Sequence, residues 1–161
     1  MKRNASTHRQ VRVLLVVLTA ILAGFWMLMT GLPFGGDHAA HAREAVVYKS
    51  PTCGCCKGWA TYLQRNGYQV TSVDRDDMEK VKDGLGVPDD IRSCHTAKID
   101  GYVVEGHVPL AAIDKLLAER PKAIGIASPG MPSGSPGMDG PKEANPVFTF
   151  GKAGKHLLGT Y

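Results

Sequence analysis

The 161-residue chain lacks the devices that most hydrolases and nucleotide-binding proteins rely on. No Ser, His and Asp are set out as a nucleophile with its base, and no two carboxylates are placed for hydrolysis. No glycine-rich loop of the phosphate-cradling kind is present; Gly84-x-Gly86 is too short a signal. A basic stripe with interleaved aromatics is also missing, so nucleic acid finds no support as a partner. The formal net charge of +4 does not alter this, because Arg43 to Tyr161 holds 15 basic and 14 acidic residues. The excess comes from Lys2, Arg3, Arg9 and Arg12. Cysteine is scarce as well. There are four in all, yet Cys53, Cys55 and Cys56 crowd into one short stretch, SPTCGCCKGWA, and only Cys94 stands apart.

The N-terminus has the layout of a membrane signal. Val13 to Met29 carries no charged residue and follows the four basic ones. As a helix, such a run is near the lower limit for crossing hydrocarbon, about 17 residues. The flanking charge keeps the start in the cytoplasm and sends the remainder across. A cleaved secretory signal shares the layout but has a shorter apolar core; Ala40-His41-Ala42 offers a cleavage-type site, though far from the run. Residues 1–34 are therefore expected to be a signal peptide or a membrane anchor. Residues 35–44 form a polar linker holding His38 and His41, read as solvated rather than metal-binding. Residues 45–161 form the exported domain. The short basic-apolar start places that domain in a bacterial periplasm, touching the membrane only through the N-terminal segment.

Along this domain, Ala45 to Tyr48 is a short β-branched run that leads straight into the cysteine cluster. Cys56, Trp59, Ala60 and Leu63 then repeat at helical spacing, giving one apolar stripe, and Asn66-Gly67 ends the helix. Gln69 to Val73 alternates as a strand. Asp76 to Gly84 is a second helix whose face is expected to comprise Met78, Val81 and Leu85. Thr96–Ile99 and Tyr102–Glu105 flank Asp100-Gly101, a hairpin signal. A helix opens at Pro109, with Leu110, Ile113, Leu116 and Leu117 on one face, and stops at Pro121. Ile124 to Pro141 is expected to be loop throughout. Val147–Phe150 and Lys155–Thr160 close the chain as a hairpin. Strands separated by helices imply parallel pairing, and the hairpins add an antiparallel part. The fold expected is α/β: a mixed central sheet flanked by helices. A cysteine motif at the first strand-to-helix junction marks it as thioredoxin-like.

Cys53-x-x-Cys56 has the spacing of a dithiol redox pair, and a helix N-terminus favours thiolate there. Cys55 does not suit that role alone. A third thiol invites a wrong disulfide, and three thiolates in one turn repel unless a cation sits among them. Soft thiolates select Cu(I), zinc or iron–sulfur clusters. Structural zinc prefers two separated cysteine pairs, which this pattern matches poorly. A c-type haem needs His after the second cysteine, and Lys57 stands there. An iron–sulfur cluster suits a chain exported unfolded badly. Two structural disulfides are the plain alternative in an oxidising compartment. Copper fits best, because adjacent Cys55 and Cys56 bridge several ions more readily than they chelate one. In a thioredoxin-like fold, the loop entering the hairpin strand packs beside the cysteine motif, which would bring Cys94 to the other three sulfurs. Met131 and Met138, in the irregular GMPSGSPGM, and His95 and His107 are candidate further ligands or support for the ligands. Trp59 and Tyr62 are expected in the core.

The segments YKSPTCGCCKGWATYLQRNGY, SCHTAKIDGYVVEGHVP and GIASPGMPSGSPGM resemble a domain of unknown function in the CopG-like copper-resistance family. The resemblance runs from about Val46 to the end. It implies a periplasmic thioredoxin-like protein that binds copper through Cys53, Cys55, Cys56 and Cys94. It also implies a role in copper tolerance, with redox cycling of copper and other periplasmic copper-handling proteins as partners. Two readings of different class follow. One is a binding protein that holds several Cu(I) ions. The other is a thiol or copper oxidoreductase with Cys53 as nucleophile and Cys56 as resolving thiol.

Overall fold

The structure is a computed structural model that describes residues 12, 15–22 and 42–161. The chain divides into two compact units, Met1–Ala40 and His41–Tyr161. In the first, residues 15–22 are helical and their side chains are exposed. Among the described residues no helix is long and apolar enough to cross a membrane. The rest of the Val13–Met29 run, and His38 and His41 of the linker, lie outside the described residues.

The second unit is built on one seven-stranded sheet. Its elements are β1 (Glu44–Lys49), α1 (Gly54–Arg65), β2 (Gln69–Asp74), α2 (Met78–Gly84), a 3-10 turn (Asp89–Ile91), β3 (His95–Ile99), β4 (Tyr102–Glu105), α3 (Leu110–Glu119), β5 (Gly125–Ala127), β6 (Pro146–Gly151) and β7 (Gly154–Thr160). The strand order is β2-β1-β3-β4-β5-β6-β7. β1 and β2 run parallel, joined across α1 as a βαβ unit. β3 returns antiparallel to β1, and β4 is antiparallel to β3. The sheet is thus mixed, as the alternation of elements required. Asp100 and Gly101 both take positive φ, 50° and 86°. That is the type I′ geometry an Asp-Gly hairpin favours.

Side-chain alternation along the strands makes two cores. Ala97, Ile99 and Val104 face α1 and α3, where they bury Trp59, Leu63, Ile113 and Leu116. Val103, Ala127 and Phe150 face the other way, against Val87 and Ile91. Trp59 is fully buried and donates its indole N–H to the Val108 carbonyl at 3.0 Å. Tyr62 packs at the edge of the first core and accepts the Leu110 N–H at 3.0 Å.

One expectation needs correction, and one buried residue was not expected. Ile124 to Pro141 is not loop throughout, because Gly125–Ala127 is a fully buried strand between β4 and β6. Three residues with a leading glycine give no strand pattern; the neighbours on either side supply the pairing. Gly125 is required there because a Cβ would overlap the Val103 carbonyl. Met78, Val81 and Leu85 are half-buried, Leu85 against the second core, and beside them Lys82 of α2 is turned fully inward, at 2% exposure. Its Nζ donates to Glu105 Oε1 at 2.6 Å and to Thr96 Oγ1 at 3.0 Å. A lysine is admitted to a core only when paired.

Gly125→Ala is expected to destabilise the fold by about 2–3 kcal/mol, the typical scale of overpacking against backbone. Equilibrium urea unfolding checks this; wild-type stability would show that β4 and β5 do not approach as described.

Candidate metal centre

The site begins where β1 ends. The chain turns through Ser50–Thr52 and enters α1 with Cys53 as its N-cap. Cys53 Sγ accepts the Cys56 backbone N–H at 3.3 Å. The sulfur therefore occupies the place a Ser or Asp oxygen usually takes, at the positive end of the helix. One turn of helix then fixes the other two sulfurs: Cys55 is half-exposed and Cys56 is fully buried. Cys53 and Cys56 are joined as a disulfide, while Cys55 and Cys94 are free.

Cys94 arrives from the neighbouring strand of the sheet. It is the last residue before β3, and β3 pairs with β1, so the start of one lies beside the end of the other. Lys49 and His95 are register partners. The result is a tight group: sulfur atoms of Cys53, Cys55, Cys56 and Cys94 all lie within 4.8 Å of one another. Cys55 stands between, 3.6 Å from Cys53 Sγ and 4.0 Å from Cys94 Sγ.

Two histidines back this group. His107 follows β4 and places Nε2 at 3.1 Å from Cys94 Sγ. Its Nδ1 lies 2.8 Å from the Pro136 carbonyl, to which it donates. That bond leaves the Nε2 lone pair turned to the sulfur, the orientation that metal-bound imidazoles need. His95 puts Nδ1 at 3.5 Å from the same sulfur and stacks on Trp59, ring centroids 4.6 Å apart. Its Nε2 is buried with no partner. Ligating atoms of Cys94, His95 and His107 fall within 4.8 Å of each other. Burial holds the pKa of both imidazoles down, that of His95 well below the usual value, with the neighbouring His107 and Lys82 pressing the same way. Both rings are thus neutral near pH 7, the form in which histidine ligates metal. Burial, and after it the proximity of Cys55, pushes the Cys94 thiol up to about 11.

The donor set contains thiol sulfur and imidazole nitrogen, with no carboxylate in either group. Calcium and magnesium take oxygen ligands, so these donors suit a soft or borderline ion. While the Cys53–Cys56 disulfide stands, two of the four sulfurs have no thiolate to offer. Reduction frees them.

The methionines are placed less centrally. Met131 is 55% exposed. Met138 is half-buried, in a shallow groove shared with Gly54, Lys57 and Gly58 of α1. Its loop lies directly on α1, because Gly58 and Gly137 meet backbone to backbone. A Cβ at Gly58 would stand 2.7 Å from the Gly137 carbonyl oxygen. Asn145, which is 2% exposed, carries no local signal of its role. Its amide donates to the His107 carbonyl at 3.1 Å and accepts the Ser128 hydroxyl at 2.6 Å. A lone Asn before Pro146 looks like a turn residue, and only the fold shows what it holds.

The family described as "Protein of unknown function, DUF411" matches residues 91–138, a stretch that spans Cys94, His95, His107 and both loop methionines. No curated protein matches the chain. Two solved structures of the copper resistance protein CopG do. Form 2 is 45% identical with a TM-score of 0.70, covering 74% of this chain and 98% of that one. Form 1 is 45% identical with a TM-score of 0.69, covering 73% and 96%.

The depressed histidines fix a pH dependence. Below about pH 6.5 the unfolded chain protonates His95 and His107 while the folded one resists, so the unfolded state binds more protons. Stability is held above that pH and falls as the pH drops below it. The raised Cys94 thiol acts on the other side, its share being lost as pH climbs from 9.0 towards about 11. The copper-free protein should lose melting temperature steadily from pH 6.5 to 5, and His95→Phe should flatten that slope. An unchanged slope would mean that His95 is not held neutral.

Proposed function

Given that this chain belongs to the CopG copper-resistance family, we propose that it is a periplasmic copper-binding protein. It holds Cu(I), several ions at once, on Cys53, Cys55, Cys56 and Cys94, in copper tolerance or handling. The observation that carries this reading is the convergence of all four sulfurs within 4.8 Å. So dense a set of thiolates is stable only with cations among it, and thiolates select the softest available ion. His107 is a further ligand through Nε2, and His95 lies close enough to join or to support it. Met138, along α1, is a peripheral thioether contact, and Met131 lies further out in the same loop.

The exported location rests on the basic and apolar order of residues 1–34, which we take as a signal peptide or anchor, followed by a linker over 35–44 and the domain 45–161. The reading of that domain as thioredoxin-like is supported by the βαβ unit β1-α1-β2, by the reversed β3 and by the cysteine pair capping α1. Copper ions, and other periplasmic proteins that hand copper over, are the partners this function requires.

One observation favours a second reading, a thiol or copper oxidoreductase. Cys53 and Cys56 are paired, with Cys53 the more accessible and Cys56 buried. That is the asymmetry of an attacking and a resolving thiol. Reduction of this bond takes two electrons and two protons and yields two thiols, so the copper load and the thiol redox state are coupled.

Anaerobic titration of residues 43–161 with Cu(I) against a chelator tests the first reading. Fully reduced protein is expected to retain more than one ion per chain, and the Cys53–Cys56 disulfide form markedly fewer. No retained copper in the reduced protein would end the metal reading. Cys55→Ser separates the two functions. It should lose most of the metal yet keep disulfide exchange by Cys53 and Cys56; full copper stoichiometry in that variant would show the middle sulfur to be dispensable.

A further inference from the structure

A charged pair lies directly behind the sulfur site, on the opposite face of the sheet. Glu105, at the end of β4, is fully buried, and so is Lys82 of α2. Glu105 uses its two oxygens differently. Oε1 accepts the backbone N–H of Ser93 at 2.6 Å and the Lys82 ammonium at 2.6 Å. Oε2 accepts the Thr96 hydroxyl at 2.6 Å. Lys82 also donates to Thr96 Oγ1 at 3.0 Å, closing the ring. The two residues that the carboxylate grips, Ser93 and Thr96, are the immediate outer neighbours of Cys94 and His95.

We propose that Glu105, charge-paired with Lys82, is the positioning residue of the sulfur site. Its carboxylate clamps both ends of Ser93–Cys94–His95–Thr96 and so fixes where Cys94 Sγ stands against Cys55 and His107. The copper consequences of this rest on the metal-binding reading above; the placement of Cys94 does not.

Three physical points carry the inference. First, a buried ion pair is weak as a source of stability, since the desolvation of two charges offsets their attraction. Its worth lies in direction: a carboxylate with several donors in fixed places admits one arrangement of the backbone that supplies them. Second, Cys94 has few other ties. It lies outside the strand ladders, which begin at His95 toward β1 and at Thr96 toward β4. Beside the carboxylate, the Ser93 hydroxyl, donating to the Gly130 carbonyl at 2.9 Å, and the Cys56 sulfur at the Cys94 carbonyl hold the segment. Upstream, Arg92 reaches the Val87 carbonyl and the carboxylates of Glu79, Asp83 and Asp89. Those acids are largely exposed, so these pairs hold weakly. Third, Glu105 leads directly into Gly106 and His107, and the Gly106 N–H donates to the His95 carbonyl at 3.0 Å. Gly106 has φ of 77°, and a Cβ on it would stand 2.7 Å from Ser93 Cβ and from the Ser128 carbonyl oxygen. One residue therefore sets three donor groups in common register: Cys94, His95 and His107.

The test uses the free thiols. In the disulfide form, Cys55 and Cys94 are the two that alkylate. Cys55 serves as the internal standard against which iodoacetamide labelling of Cys94 is timed by peptide mass spectrometry. Removing one charge alone would strand the other in the core. The variant chosen is therefore Lys82→Met with Glu105→Leu, because apolar replacement of a buried pair is often neutral for folding. With melting temperature near that of the wild type, the Cys94 to Cys55 labelling ratio should rise about tenfold as the segment opens locally. The copper count per reduced chain should fall together with it.

Thr96→Val is the second variant. It keeps both charges and a β-branched side chain, and should shift the labelling ratio the same way by a smaller factor. An unchanged ratio and copper count in either folded variant would overturn the proposal. A raised ratio in the variants, beside a wild type that binds no copper, would uphold the clamp and end the metal-binding reading alone.

Discussion

The structure turns on the crowding of four sulfur atoms into one small volume. Four sulfur atoms within 4.8 Å of each other can coexist in three ways: as thiols, as disulfides, or around cations. The molecule shows two of these together, with Cys53 and Cys56 bonded and Cys55 and Cys94 free. Metal binding and disulfide formation draw on the same sulfurs, so each limits the other. Cys55 is the residue that makes this more than an ordinary dithiol. It stands between Cys53 and Cys94, 3.6 Å from one sulfur and 4.0 Å from the other.

The surrounding fold supplies that group with sulfur and imidazole and no carboxylate. The histidines next to Cys94 are neutral because they are buried, and His107 is turned to present nitrogen rather than N–H by its bond to Pro136. The carboxylate of Glu105 is occupied behind the sheet with Lys82, Ser93 and Thr96. A hard ion finds no ligand set here, while a soft ion finds sulfur and imidazole. Sulfur at the N-cap of α1 adds a positive helix end beside the cluster, which favours thiolate once the disulfide is reduced.

Support for the site comes from segments far apart in sequence. The loop after β5 contributes Pro136, lies on α1 through Gly137 and is tied back by Asn145 to the His107 carbonyl. The family match spans residues 91–138, from the turn before Cys94 to this loop. Cys53, Cys55 and Cys56 lie outside that match and reach the site from α1, opposite the β3–β4 hairpin and the glycine-rich loop.

Most of the elements, and the crowding of sulfur, were legible locally. The stripe of Cys56, Trp59, Ala60 and Leu63, the Asp100-Gly101 turn, the alternation of strands and helices and the crowding of three cysteines are all local patterns, fixed by side-chain period and turn geometry. Which groups meet depends on the folded chain. Lys82 on an apolar helix face, Glu105 at a strand end and Asn145 before a proline carry no local mark of their task. Gly125–Ala127 is a strand only because β4 and β6 enclose it. Each depends on contacts between residues distant along the chain, and a burial or a partner that distant residues supply leaves no period in the sequence to read.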